Sequence, residues 1–180
     1  FSDYYRSHSA LSRSLTVAQT DESPRLADHP ASRLGGWRPA ELRWPIFQRT
    51  RIDELKKTAT IMIVDDEPIN ILVIRKLLAD EGYEKTLSIS KATEAVAAVQ
   101  REKPDLVLLD IMMPETSGLD ILETLRAGEQ TANLPVIILT ASTAQSIKRQ
   151  AFDLGATDFL SKPIDAVELL PRVRNALLVK

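Results

Sequence analysis

Residues 60–66 read Thr-Ile-Met-Ile-Val-Asp-Asp, an apolar run stopped by two carboxylates. A half-buried strand alternates polar and apolar residues, whereas a run without alternation suits a strand covered on both faces, as in a parallel sheet. The pattern returns twice: Leu106-Val107-Leu108-Leu109 stops at Asp110, and Val136-Ile137-Ile138-Leu139 stops at Thr140. Two weaker runs complete the set. Thr86–Ser90 alternates, Leu87 and Ile89 against Ser88 and Ser90, as an edge strand does; Asp158-Phe159-Leu160 is short and gives way to Ser161-Lys162.

The stretches between these runs read as helices. Ile69–Ala79 starts behind Pro68, a favourable first-turn residue, and stops at Gly82. Ala92–Glu102 stops before Pro104, Gly118–Ala127 carries Leu119, Ile121, Leu122 and Leu125, and Thr143–Leu154 stops at Gly155. Asp165 and Glu168 predict a capping box that opens a last helix to about Leu178, with a bend at Pro171, which lacks an amide donor. The alternation is (βα)5, which predicts an α/β fold: a doubly wound, five-stranded parallel sheet with right-handed crossovers and helices on both faces.

The chain has 180 residues, 44% hydrophobic and 27% charged, the composition of a soluble globular protein. The absence of cysteine excludes a disulfide framework, thiolate zinc sites and a cysteine nucleophile. The two histidines, His8 and His29, both fall in a region without periodicity, which argues against histidine catalysis. No apolar run approaches the roughly 18 residues of a membrane span. The net charge of −2 gives no bulk attraction for nucleic acid.

That charge is uneven. Residues 1–57 carry ten Lys and Arg against seven Asp and Glu, and residues 58–180 carry 13 against 18. Residues 1–36, rich in Ser and Arg with Pro24, Pro30, Gly35 and Gly36, have too little apolar surface to offset ordering entropy and read as a solvated tail. Within residues 39–57 (PAELRWPIFQRTRIDELKK), Pro45 interrupts any helix begun at Ala40, leaving a short helix near 49–57. Trp44, Ile46 and Phe47 could dock on the next domain or a partner, or sit in a plain linker. The domain reading is therefore an N-terminal extension, 1–57, ahead of a domain at 58–180.

In an open α/β sheet, ligands bind beyond the carboxyl ends of the strands. Those ends are Asp65-Asp66, Asp110, Thr140 and Lys162, all polar, each closing an apolar run. Carboxylates about 4–5 Å apart repel by about 3–4 kcal/mol at an effective dielectric near 20, so such a cluster shifts its protonation or holds a cation. Oxygen ligands without His or Cys favour Mg²⁺, Mn²⁺ or Ca²⁺, and few protein ligands with room for water point to Mg²⁺, with Mn²⁺ as a second choice. Lys162 adds a point charge for a phosphoryl oxygen and Thr140 a hydroxyl donor. Phosphorylation of Asp110 is the economical reading.

The segments IMIVDDEPIN, LVLLDIMMPETSGLDIL, VIILTAST and ATDFLSKPI resemble the receiver domain of bacterial two-component response regulators. The resemblance covers residues 58–180 and implies a flavodoxin-like (CheY-like) strand order of 2-1-3-4-5. It implies that Asp110 is the phosphoacceptor. Asp65 and Asp66 would be the acidic pair that holds Mg²⁺, Asp66 more directly, with the backbone carbonyl of Met112 as a further ligand. Thr140 would be the hydroxyl that turns toward the phosphoryl group, Lys162 the lysine that pairs with it, and Phe159 the switch aromatic. Pro114 and Gly118 match the loop after the acceptor, and Met112 and Ser142 sit where side chains tune phosphoryl lifetime.

The implied partner is a sensor histidine kinase or a histidine phosphotransfer protein, with an unidentified downstream target. The surface formed by helix 143–154, strand 158–160 and helix 165–178 would change on phosphorylation and could carry a homodimer. No nucleic-acid or membrane contact is expected of this segment, and the setting implied is cytoplasmic. The chain would be a switch rather than an enzyme, catalysing only its own phosphorylation and dephosphorylation. An aspartyl-nucleophile phosphatase of the haloacid dehalogenase kind needs an acidic residue two after the nucleophile, where Met112 stands. A single-domain regulator and a segment of a longer multidomain regulator or hybrid kinase both remain open.

Overall fold

Parallel strands need long crossovers, and the helices that supply them cover the sheet on both sides. The computed structural model describes residues 43–141 and 145–179, with side chains from residue 50 onward. The elements run α1 (Arg43–Thr58), β1 (Thr60–Val64), α2 (Pro68–Glu81), β2 (Lys85–Ile89), α3 (Ala92–Glu102), β3 (Leu106–Asp110), α4 (Gly118–Ala127), β4 (Val136–Thr140), α5 (Gln145–Asp153), β5 (Asp158–Ser161) and α6 (Ala166–Leu178). All four strand pairings are parallel, in the order β2-β1-β3-β4-β5. The fold is the doubly wound (βα)5 sheet that the sequence predicts. The described residues belong to one compact unit, Ala40–Lys180. None of their helices is long and apolar enough to cross a membrane.

The central strands β3 and β4 are buried at every position, whereas the edge strands β2 and β5 are only partly covered. Side chains of one face (Met62, Val64, Val107, Leu109, Val136, Ile138) pack with α3, α4 and α5. Those of the other face (Ile61, Ile63, Leu106, Leu108, Ile137, Leu139, Leu160) pack with α2 and α6 and meet Leu55 of α1.

Helix ends follow local chemistry. Pro68 stands in the first turn of α2, and Gly82 closes it in the left-handed region (φ 99°), donating to Ala79 and Leu78 carbonyls. α4 has a full capping box, Ser117 with Asp120, that the sequence reading did not anticipate. At α6 only half of the expected box forms: Asp165 accepts from the Glu168 amide. α6 carries Pro171 within it and runs as one helix to Leu178.

The largest departure from expectation is α1. It starts at Arg43 rather than near residue 49. Pro45 falls in its first turn, where the missing amide and the ring cost little. The far end of α1 packs on the body: Arg51 donates to the Leu178 carbonyl at 3.3 Å, Lys56 pairs with Glu81 at 2.7 Å, and the Glu84 amide donates to the Lys56 carbonyl. The reading of residues 1–36, the docking role of the Trp44, Ile46 and Phe47 side chains, and Ser142 all lie outside the described residues.

Candidate functional site

Side-chain alternation decides which strand-end residues can meet. Ile61 and Ile63, Leu106 and Leu108, and Leu160 share one sheet face. Continuing each strand by two residues on that face gives Asp65, Asp110 and Lys162. Val136 and Ile138 pack on the opposite face, so the same count places Thr140 there.

Asp65 and Asp110 are almost wholly buried, and Asp66 is half-buried beside them. The three carboxylates each offer an oxygen within 4.8 Å of the others. Lys162 reaches between two of them, its Nζ 2.8 Å from both Asp65 Oδ2 and Asp110 Oδ2. Burial alone would lower the Lys162 pKa, but hydrogen bonds and charge from Asp110 and Asp65 outweigh it and hold the ammonium above the usual lysine range. It stays protonated at neutral pH.

The other oxygen of each buried carboxylate also has a donor. Asp65 Oδ1 accepts the Glu67 amide at 2.9 Å and Asn70 Nδ2 at 3.0 Å. Asp110 Oδ1 accepts the Met112 amide at 3.3 Å. The backbone then locks the strand ends together: the Ile111 amide donates to Leu139, and the Lys162 amide donates to Thr140 at 2.8 Å. The Lys162–Pro163 peptide is cis.

Gly118 is required at its place. Its amide donates to the Ile111 carbonyl, and a Cβ there would overlap the Asp110 carbonyl oxygen. Only glycine lets the start of α4 lie against the backbone of Asp110.

Three carboxylates against one ammonium leave the pocket with two uncompensated negative charges. All the ligand atoms offered are hard oxygens. This donor set fits a divalent cation of the Mg²⁺ or Mn²⁺ kind.

Thus Asp65, Asp66, Asp110 and Lys162 converge, and Met112 lies at the pocket with an exposed side chain. Thr140, also buried, sits at the same rim on the opposite face, and Phe159 lies farther down β5 on Thr140's face. Sequence reasoning missed Asn70. Its signal is an amide two residues past Pro68, in the opening turn of the helix that follows the acidic pair.

The response regulator receiver domain family matches residues 61–174. The chain belongs to that family. Receiver domains of response regulators are signalling switches that accept phosphate from histidine kinases. The chain is 39% identical over 117 residues to a protein of Synechocystis named DNA-binding dual master transcriptional regulator RpaA, covering 65% of this chain and 48% of that one. It is 39% identical over 118 residues to the phosphate regulon transcriptional regulatory protein PhoB of Pseudomonas aeruginosa, covering 66% and 51%. The chain thus spans about half the length of these relatives. Among solved structures, a putative response regulator from Chloroflexus aurantiacus superposes with a TM-score of 0.64 at 31% identity, over 68% of this chain and 99% of that one. The Vibrio cholerae chemotaxis protein CheY4 gives 0.63 at 27%, over 67% and 100%.

Proposed function

We propose that Asp110 of this receiver takes a phosphoryl group from a phosphohistidine on a histidine kinase or histidine phosphotransfer protein. The observation that carries this is the buried meeting of Asp110 with Asp65, Asp66 and the Lys162 ammonium at the carboxyl rim of the sheet. In the transfer an Asp110 carboxylate oxygen forms the new P–O bond as the P–N bond to histidine breaks, and the electron pair leaves with the imidazole. Lys162 already touches Asp110, so its charge lies where equatorial phosphoryl oxygens would arrive. Asp65, Asp66, Asp110 and the Met112 carbonyl would hold Mg²⁺, which neutralises phosphoryl charge when bound. Asn70 and the Glu67 amide fix Asp65 in place. Water later hydrolyses the acyl phosphate, its access tuned by Met112 and, on the family resemblance alone, by Ser142.

A protein donor fits the rim. α2 begins just past the acidic pair, and its Ile69 and Leu72 are 61% and 63% exposed, with Met112 at 64%. These exposed apolar side chains, on the helix that follows the acidic pair and two residues past Asp110, offer a surface to a macromolecule rather than to a small ester. The setting is cytoplasmic, and the chain's only catalysis concerns its own phosphoryl group. The proteins it resembles in sequence carry regulator names, so its output is read as regulation through a partner or a further domain.

The phosphoryl group must then shift a conformation. Moving a population from 1:99 to 99:1 takes about 5.5 kcal/mol of differential interaction. Charge-assisted hydrogen bonds contribute about 1.5–3 kcal/mol each. Contacts from Thr140 and Lys162 therefore suffice for most of the shift. Thr140 turning toward the phosphoryl group vacates space on the face where Phe159 lies, and the surface of α5, β5 and α6 changes with it.

The test is labelling by acetyl phosphate with Mg²⁺, read by intact mass. The wild-type chain gains one phosphoryl group, and Asp110→Asn gains none. Labelling of Asp110→Asn at the wild-type rate removes Asp110 from its role.

A further inference from the structure

Phe159 is held by two residues of α5. The Lys148 Nζ lies 4.2 Å from the centre of the Phe159 ring, over its face. The Phe152 ring meets it edge-to-face, centroids 5.6 Å apart and planes at 80°. Lys148 and Phe152 are four residues apart and therefore neighbours on one face of the helix. Among the described residues no carboxylate pairs with Lys148, so the aromatic face is its electrostatic partner.

The sheet supplies the other half of the geometry. Phe159 pairs in register with Ile138, and both pack on the α5 side. Thr140 is the next residue of β4 on that side. Phe159 and Thr140 are thus diagonal neighbours on one sheet face, and the α5 residues that clamp the ring belong to the helical layer over that face.

We propose that Lys148 is a latch: it holds the Phe159 ring against α5 in the unphosphorylated receiver and so sets the threshold of the switch. This rests on the reading of Asp110, Thr140 and Phe159 given above. A ring that moves toward the space left by Thr140 must leave the ammonium and give up the attraction between cation and ring quadrupole. Phe152 adds an edge contact that the moved ring also surrenders. Removing the Lys148 charge biases the equilibrium toward the moved ring by about two- to five-fold, the weight of one partly exposed cation–π contact. An arginine retains the interaction. Lys148 is a positioning residue, acting on the phosphorylation site only through Phe159.

The experiment uses the full chain labelled with 4-fluorophenylalanine, the Phe159 signal being assigned with Phe159→Leu. Fluorine NMR follows that signal during titration with beryllofluoride and Mg²⁺, and the bound beryllofluoride reports occupancy of Asp110 in the same spectra. For Lys148→Gln the expected result is a Phe159 signal already displaced toward the liganded position and a midpoint two- to five-fold lower. Lys148→Arg should match wild type. If Lys148→Gln shows the wild-type signal and midpoint, the latch is overturned while the switch stands. If beryllofluoride binds wild-type chain without moving the Phe159 signal, the switch reading is overturned and the latch with it.

Discussion

The two sides of β4 are built to different standards. Toward the centre, β1 and β3 are buried, α4 seats Gly118, Ile121, Leu122 and Leu125 in the core, and every described carboxylate oxygen of Asp65 has a donor. Toward the edge, α5 buries Ala151 alone, β5 buries one residue of four, and Phe152 stands 46% exposed beside Phe159. A phosphoryl site needs preorganised charge, which only a rigid region supplies. A switch needs an element whose alternative packing costs little, which only a thinly anchored region supplies. The receiver places the two side by side, with Thr140 on the strand between them.

The sharpest test of that contrast is a pair of truncations. Leu108→Ala, in the fully buried centre, should cost about 2–5 kcal/mol of unfolding free energy in urea melts. Phe152→Ala should lose little beyond an aromatic edge contact, about 0.5–1.5 kcal/mol. Equal losses would break the comparison. Gly118→Ala comes next. The new methyl meets the Asp110 backbone, and overpacking of this kind costs about 1–3 kcal/mol. Because the displaced atoms belong to Asp110, acetyl phosphate labelling should fall as well; a variant of full stability and full labelling would show that α4 does not brace the acceptor.

A pH dependence sharpens the rigid half further. Lys162 has a raised pKa when folded, so its contribution to stability is complete below the usual lysine range and fades as pH rises through the higher folded value. In metal-free urea melts, the gap between wild type and Lys162→Met should hold constant from neutral pH and close only above the usual lysine range. A gap that closes near neutrality would mean that the ammonium is not held by the two carboxylates.

The strands and helices of both halves were legible in the sequence, and the contacts between elements were not. β1, β3 and β4 announce themselves because burial on both faces leaves no polar residue within the run, and the same runs end on the residues that form the pocket. Strand order does not follow from local pattern, because pairing is a long-range choice; it came through the resemblance. The start of α1 was misplaced because Pro45 breaks a helix interior yet suits a first turn, and only the boundary tells which applies. Asn70 was passed over because its role depends on the path of the chain around Pro68. The clamp on Phe159 is a tertiary contact between a helix and an edge strand, and neither Lys148 nor Phe152 carries a local signature of it.

The smallest expected effect lies in the rigid half, at the end farthest from the site. Lys103 closes α3 in the left-handed region, φ 48° and ψ 59°, where a side chain crowds the backbone. Its amide still donates to the Val99 carbonyl, so the turn is formed and merely strained. Glycine removes the crowding but gains freedom in the unfolded chain, which offsets part of the benefit. Lys103→Gly should therefore stabilise the chain by about 0.5 kcal/mol in urea melts, with labelling of Asp110 unchanged. Because this turn lies at the amino end of β3 and the acceptor at its carboxyl end, a change in labelling would mean that strain at one end of the strand reaches the other. The central strands would then be part of the moving machinery rather than its frame.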